Sequence, residues 1–366
     1  MTVSDGLGVL EEIELGPDMI RRTLTETAAA AEEAAQALRA RGVERVFVVG
    51  NGTSFWSARW VAGWYRRLST PEDDPSMVAL SAASFVHYRP RLSPHDALLA
   101  ISASGEFREV IAGVDGLPDG VPTVGVVQAA DTALGRRVSH RVVASGGPSG
   151  MPVMTRTFLS TASAAALVAI GLLADGRTRG AARHALEEAA DAAEAALEAA
   201  RASVDEVAAA LAQCAHIFVV GGGAGAIAAG EAALKLTEMA LLPTQGVETW
   251  EAESGLSPVV GPGTAVVAVH PVGPAEAATS EFAVSSERWG ALVVEVAPRR
   301  ACARSLLLPL PVSAPEAVSP LYVVPPLTLV ASRLAALRGI TFDTPGWVGR
   351  YAEQGLLHVP GALEAR

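Results

Sequence analysis

The chain has 366 residues, of which 50% are apolar, 18% charged and 5% aromatic; 28 Lys and Arg face 39 Asp and Glu, a formal net charge of −11. That length suits two to three domains with a sizeable core, and aliphatic runs of this density exclude a disordered chain. An acidic chain carries no counter-charge for a phosphate backbone or an anionic bilayer, so neither nucleic acid nor membrane is expected as a partner.

Two cysteines, Cys214 and Cys302, are too few for a disulfide framework, and neither has metal-ligand spacing, so a reducing, cytoplasmic setting is expected. Met1 to Leu7 shows no basic segment followed by an apolar stretch, and no apolar run reaches about 18 residues free of Gly, Pro and charge. Positive charge is carried almost wholly by arginine; the single lysine is Lys235.

In chain order, 24–41 has Ala and Leu at helical spacing and closes at Gly42, and 45–50 is a short apolar run ending in glycine, the pattern of a strand buried on both faces. A turn at 51–54 leads to a helix over 55–68. The unit recurs as a strand at 97–101, a turn at 102–105 and a helix at 106–114, followed by a strand at 121–127 and a helix at 157–174. Residues 180–213, rich in Ala and Glu, form a helical connector. The pattern then restarts with a strand at 216–220, a glycine-rich turn at 221–225, a helix at 226–242 and strands at 265–270 and 291–296. This alternation predicts an α/β chain of two doubly wound parallel-sheet domains in tandem, 1–179 and 180–366, with ligands outside the carboxyl ends of the strands.

Three patterns carry candidate chemistry. Gly52-Thr53-Ser54 and Ser102-Ala103-Ser104-Gly105 are strand-to-helix turns whose hydroxyls and backbone N–H groups can cradle a phosphate or another anion; ordinary helix capping explains the same residues without a ligand. Glu231, Lys235 and Glu238 share one helix face, which places an ammonium between two carboxylates, either as catalytic groups or as a surface ion pair. Gly221 to Ala226 invites a dinucleotide reading, but its last position is alanine and no ribose-binding acid follows a second strand; close backbone approach explains it equally well. The seven scattered histidines have no metal spacing.

Four segments, VVGNGTS at 48–54, ISASGE at 101–106, GPSGMPVMTRTF at 147–158 and GEAALKLTEMALLPTQGVE at 230–248, resemble the sugar isomerase (SIS) family in the tandem form of the isomerase half of glutamine–fructose-6-phosphate aminotransferases, over about 10–355. The resemblance implies two flavodoxin-like SIS domains and a phosphosugar pocket lined by Thr53, Ser54, Ser102, Ser104 and Gly105, with Arg350 among the binding residues. It implies Glu238 as the carboxylate that moves a proton between sugar C1 and C2, with Lys235 beside it. It also implies a homodimer; no cofactor and no metal are expected. Neither a glutaminase domain nor a helix-turn-helix segment is expected.

The chain departs from the family's pattern at three places. The family's Ser-Gln-Ser-Gly-Glu-Thr is Ser102-Ala103-Ser104-Gly105-Glu106-Phe107, its ring-opening histidine falls at about Ser254, and its Schiff-base lysine at about Arg350. An arginine stays protonated and forms no imine, so a Schiff-base route is not expected. Glu248, Glu251 and Glu253 are candidates to replace the histidine, and Phe55, Trp56 and Phe107 point to an altered ligand or to core packing. The expected function is a phosphosugar isomerase, deaminase or deglycase. The alternative is a non-catalytic sugar-phosphate-binding or regulatory protein, and a nicotinamide enzyme comes a distant third.

Overall fold

The computed structural model describes residues 8–147, 153–340 and 354. The described residues fall into two compact units, one of 18–186 and one of 8–17 with 187–340. Helix α1 (Val9–Glu14) groups with the second unit. The chain then runs α2 (Gly16–Glu26), α3 (Ala28–Ala40), β1 (Arg45–Gly50), α4 (Thr53–Leu68), β2 (Ser76–Ser81), α5 (Ala82–His87), β3 (Asp96–Ile101), α6 (Arg108–Asp115), β4 (Thr123–Val127), β5 (His140–Val143) and α7 (Arg156–Leu172). The long α8 (Gly176–Ala200) contains the unit boundary. After it come α9 (Val204–Leu211), β6 (His216–Gly221), α10 (Ala224–Ala240), β7 (Thr244–Glu248), α11 (Thr249–Gly255), β8 (Thr264–Val269), α12 (Glu276–Arg288), β9 (Leu292–Ala297), β10 (Leu306–Pro309) and α13 (Ser319–Leu337).

Each unit holds one five-stranded sheet, all parallel, in the order β2-β1-β3-β4-β5 in the first and β7-β6-β8-β9-β10 in the second. The two orders are the same, so the duplication read from sequence pattern is a duplication of topology. This is the 2-1-3-4-5 winding, in which connections from the first strand leave to opposite sides and open a crevice at the carboxyl ends of the first and third strands.

The internal strands are apolar throughout because both faces are covered. In β1, Phe47 and Val49 pack with Phe85, Leu98 and Val110 on one face, while Val46 and Val48, equally buried, point to the other. In β6, Phe218 and Val220 play the same part with Leu256, Val266 and Phe282. Burying one such side chain contributes about 1.5–3 kcal/mol. The four strands that the sequence pattern does not announce, β2, β5, β7 and β10, are the sheet edges, where burial is partial and the apolar run is broken.

Two long helices expected from spacing are each divided. The first breaks at Thr27, whose hydroxyl donates to the Val143 carbonyl at 3.0 Å, leaving α2 and α3. The connector breaks over 201–203, leaving α8 and α9. Among the described residues one helix, over Glu316–Leu337, is long and apolar enough to cross a membrane by length and composition, though 78% of its most apolar stretch is buried inside the protein. It packs against α9 and α10 in the second unit, as an apolar core helix does.

Candidate functional site

In the first unit, β1 and β3 are adjacent and in register, Val49 opposite Ala100, so the turns that leave them emerge side by side at the sheet's carboxyl edge. The first turn is shaped by Gly52, the residue before α4, with φ of 54°. A side chain is strained there, which is why glycine precedes the hydroxyl pair. Thr53 and Ser54 lie in the first turn of α4, which starts two residues earlier than the pattern predicts, and both are buried.

The second turn is held by its own hydroxyls. Gly105 N–H donates to Ser102 Oγ at 3.1 Å and Glu106 N–H to Ser104 Oγ at 3.2 Å. Ser102 is buried and Ser104 exposed. Gly105 has φ of 66°, and a Cβ there would overlap the Thr132 side chain. The capping reading of these serines is thus realised in the fold, and α6 starts only at Arg108. A hydroxyl that accepts one N–H bond still has a proton to donate, so the turn retains capacity toward an anion. Gln128, which the sequence reading passes over, directly follows β4 beside this turn; its N–H donates to Ala103 O at 3.1 Å and its side-chain amide to Ser160 Oγ at 2.7 Å. A lone polar residue closing the apolar run of β4 was its signal.

The aromatic residues near these turns divide. Phe107 packs against the core of the first unit. Phe55 and Trp56 are half-buried with ring centroids 6.1 Å apart, and the Arg59 guanidinium lies 4.8 Å from the Trp56 centroid.

In the second unit, α10 carries the lysine and its carboxylates. The Lys235 ammonium lies 2.8 Å from Glu238 Oε2 and 3.3 Å from Glu231 Oε1; the Lys235 and Glu231 side chains are 0% exposed and that of Glu238 18%. The surface ion-pair reading is overturned by this burial. Burial works against the ammonium, but Glu231 and Glu238 outweigh it and hold its pKa above the ordinary value. The i, i+3, i+4 spacing on a helix packed by α13 and β7 produces this arrangement directly.

The glycine-rich turn is explained by close packing. A Cβ on Gly221 would lie 2.6 Å from Gly225 O, and Glu316 Oε1 accepts the Ala224 N–H at 2.7 Å where a dinucleotide phosphate would have to sit. Of the candidates to replace the histidine, Glu248 is spent as the cap of α11, accepting from Trp250 N–H at 2.9 Å, while Glu251 and Glu253 are exposed. Ser254 is exposed and donates back to Trp250 O of its own helix. Arg350 lies outside the described residues, as do Met1 to Leu7 and 148–152 of the GPSGMPVMTRTF segment. Among the described residues no cluster of His, Cys, Asp and Glu could hold a metal ion.

No family model matches the chain. Among curated proteins it is similar to the glutamine–fructose-6-phosphate aminotransferase (isomerizing) of Aeropyrum pernix, 29% identical over 88% of this chain and 54% of that protein, and to that of Pyrobaculum aerophilum, 28% identical over 92% and 56%. The chain spans about half the length of these relatives. Among solved structures, the C-terminal domain of glucosamine-fructose-6-phosphate aminotransferase from Francisella tularensis superposes with a TM-score of 0.84 at 18% identity, over 94% of this chain and 100% of that one.

The chain has the tandem SIS fold and resembles the isomerase half of these aminotransferases. The same tandem SIS architecture is shared with tagatose-6-phosphate ketose/aldose isomerase from Escherichia coli (TM-score 0.78, 20% identity, 93% of this chain and 96% of that one). Glucosamine-6-phosphate deaminase from Thermotoga maritima also shares it (TM-score 0.66, 20% identity, 89% and 97%).

Proposed function

We propose that this chain is a phosphosugar enzyme of the isomerase, deaminase or deglycase type, in which Glu238 moves a proton between C1 and C2 of a keto- or amino-sugar phosphate. The observation that carries the reading is the Lys235–Glu238 pair, an ammonium withdrawn entirely from water beside a carboxylate that keeps an open side. In the step shared by these reactions the carboxylate takes the proton from the carbon next to the carbonyl; the electrons of the broken C–H bond form the C=C bond of an enediolate, the carbonyl π pair moves onto its oxygen, and the neighbouring hydroxyl (or amine) proton passes to that oxygen. The same carboxyl group then returns the proton to the neighbouring carbon. Lys235 sets the negative charge of Glu238 beside a fixed cation and stabilises the oxyanion that develops as the enediol forms. The phosphate belongs to the first unit, at the hydroxyls and N–H groups of Thr53, Ser54, Ser102, Ser104 and Gly105.

Proton NMR of fructose 6-phosphate, glucosamine 6-phosphate and a fructosamine phosphate in deuterated buffer tests the reading. Loss of a C1 or C2 proton signal with the wild type, abolished by Glu238→Gln, supports it; an undiminished exchange rate in Glu238→Gln removes Glu238 from the mechanism.

A second reading, a sugar-phosphate-binding or regulatory protein without turnover, is favoured by one observation: Ser254, at the place of the family's ring-opening histidine, turns its hydroxyl to Trp250 O. Ligand line broadening with no exchange in the same spectra would select it.

A further inference from the structure

The two units repeat the same strand-to-helix turn down to its backbone angles. Gly52 before α4 has φ 54° and ψ −127°, and Gly223 before α10 has φ 57° and ψ −127°. Gly50 and Gly221, two residues earlier, each face the first turn of the following helix so closely that a Cβ would lie 2.5 Å from Ser54 O and 2.6 Å from Gly225 O. By this correspondence Thr53 and Ser54 of the first unit match Ala224 and Gly225 of the second.

What occupies the second copy is a carboxylate from its own unit. Glu316 Oε1 accepts the Ala224 N–H at 2.7 Å, at the positive end of α10. The fit is built from several sides. A Cβ on Gly223 would lie 2.7 Å from Glu316 Oε1, and one on Gly273 would lie 2.8 Å from both Glu316 Cβ and Cγ, so two glycines clear the path of this side chain. Glu316 opens the short turn over Glu316–Val318, and the buried Tyr322 hydroxyl donates to the carbonyls of Ala314 at 3.4 Å and Pro315 at 3.3 Å just before it. The corresponding loop of the first unit, between β5 and α7, reads Ala-Ser-Gly-Gly-Pro-Ser-Gly-Met-Pro-Val-Met-Thr over 144–155 and contains no acidic residue.

We infer that the anion cradle of the second unit is filled by Glu316, so that each chain offers a single phosphate position, in the first unit, and that removing the Glu316 carboxylate opens a second. The inference rests on the phosphate role proposed for the first unit. Physically, a carboxylate on a three-bond tether needs no loss of translational freedom to reach the helix end, and it excludes a free phosphate by both charge and volume.

Calorimetric titration with inorganic phosphate, read for stoichiometry, tests it on the wild type, Glu316→Ser, and Glu316→Ser combined with Thr53→Val and Ser104→Ala. One phosphate per wild-type chain and two per Glu316→Ser chain, the added one insensitive to Thr53→Val and Ser104→Ala, is the expected result. Two per wild-type chain, or no gain in Glu316→Ser, overturns the inference. None in the wild type and one in Glu316→Ser upholds the filling of the second cradle by Glu316 while refuting the phosphate position of the first unit. Glu316→Gln keeps the acceptor for the Ala224 N–H without the charge and serves if the serine variant does not fold. Its Tm is expected below that of the wild type by a margin that shrinks in high salt, and an equal Tm at all salt concentrations overturns the inference.

Discussion

Lys235 donates to Glu238 across 2.8 Å from a position with no exposed surface, and its ammonium also faces the equally buried Glu231 at 3.3 Å. Lys235→Met leaves Glu231 buried without this cation, which is expected to cost about 3–5 kcal/mol in urea unfolding. Adding Glu231→Leu is expected to recover much of that loss, because a buried ion pair replaced by packed apolar groups is often close to neutral. A double variant no more stable than Lys235→Met would show that the loss comes from packing and not from the stranded charge.

For Glu238→Gln the expected pattern is a fall in kcat of about 10²–10⁴-fold with KM nearly unchanged, since the amide keeps the shape and one acceptor for Lys235 but cannot take a proton. Ser104→Ala is expected to act in the opposite way, raising KM for a phosphorylated sugar. Steady-state kinetics on both variants separate the proton carrier from the phosphate cradle.

Gly105→Ala is predicted to destabilise the first unit by about 1–3 kcal/mol, because φ of 66° strains any side chain and the added methyl meets Thr132. Thermal unfolding reads the effect. A variant as stable as the wild type would contradict the left-handed turn.

Leu241, which ends α10 three residues after Glu238, is the one non-glycine residue with positive φ among the described residues, at 51°, and it is 50% exposed. A left-handed leucine costs about 1–2 kcal/mol, and the flexibility of glycine offsets about 0.5–1 kcal/mol of any relief. Leu241→Gly is therefore expected to gain about 0.5–1 kcal/mol, and a lower Tm would contradict the strain.

Glu295 on β9 is fully buried and accepts from His270 Nε2 at 3.0 Å, Ala301 N–H at 2.8 Å, Cys302 N–H at 3.0 Å and the Ser305 hydroxyl. Burial opposes its charge, but these donors prevail and hold its pKa at about 2, against an ordinary 4.5. A depressed carboxylate contributes stability that is complete above pH 4.5 and lost as the pH falls toward 2. Glu295→Gln is expected to be less stable at neutral pH and to flatten this acid limb in a series of denaturation curves. An unchanged limb would assign the acid sensitivity to other groups, of which Asp96, held low against the burial that raises it by its hydrogen bonds from Arg45, is the next.

The six internal strands were legible because burial on both faces demands an unbroken apolar run, and sequence records that demand residue by residue. The four edges were not, because an edge strand is half-exposed and its residues mix freely with those of loops. The spacing of Glu231, Lys235 and Glu238 followed from helical periodicity, but their burial did not, since the side of α10 that meets α13 and β7 is chosen by packing. Nor does sequence spacing bring Glu316 to Ala224, 92 positions away, where it closes the copy of a turn whose counterpart loop in the first unit, 144–155, carries no acidic residue in its sequence. Periodicity and local turn chemistry are properties of neighbouring residues, and the sequence alone determined them. Which charges are dry and which helix end is already filled depend on contacts between distant segments, and only the tertiary structure decided them.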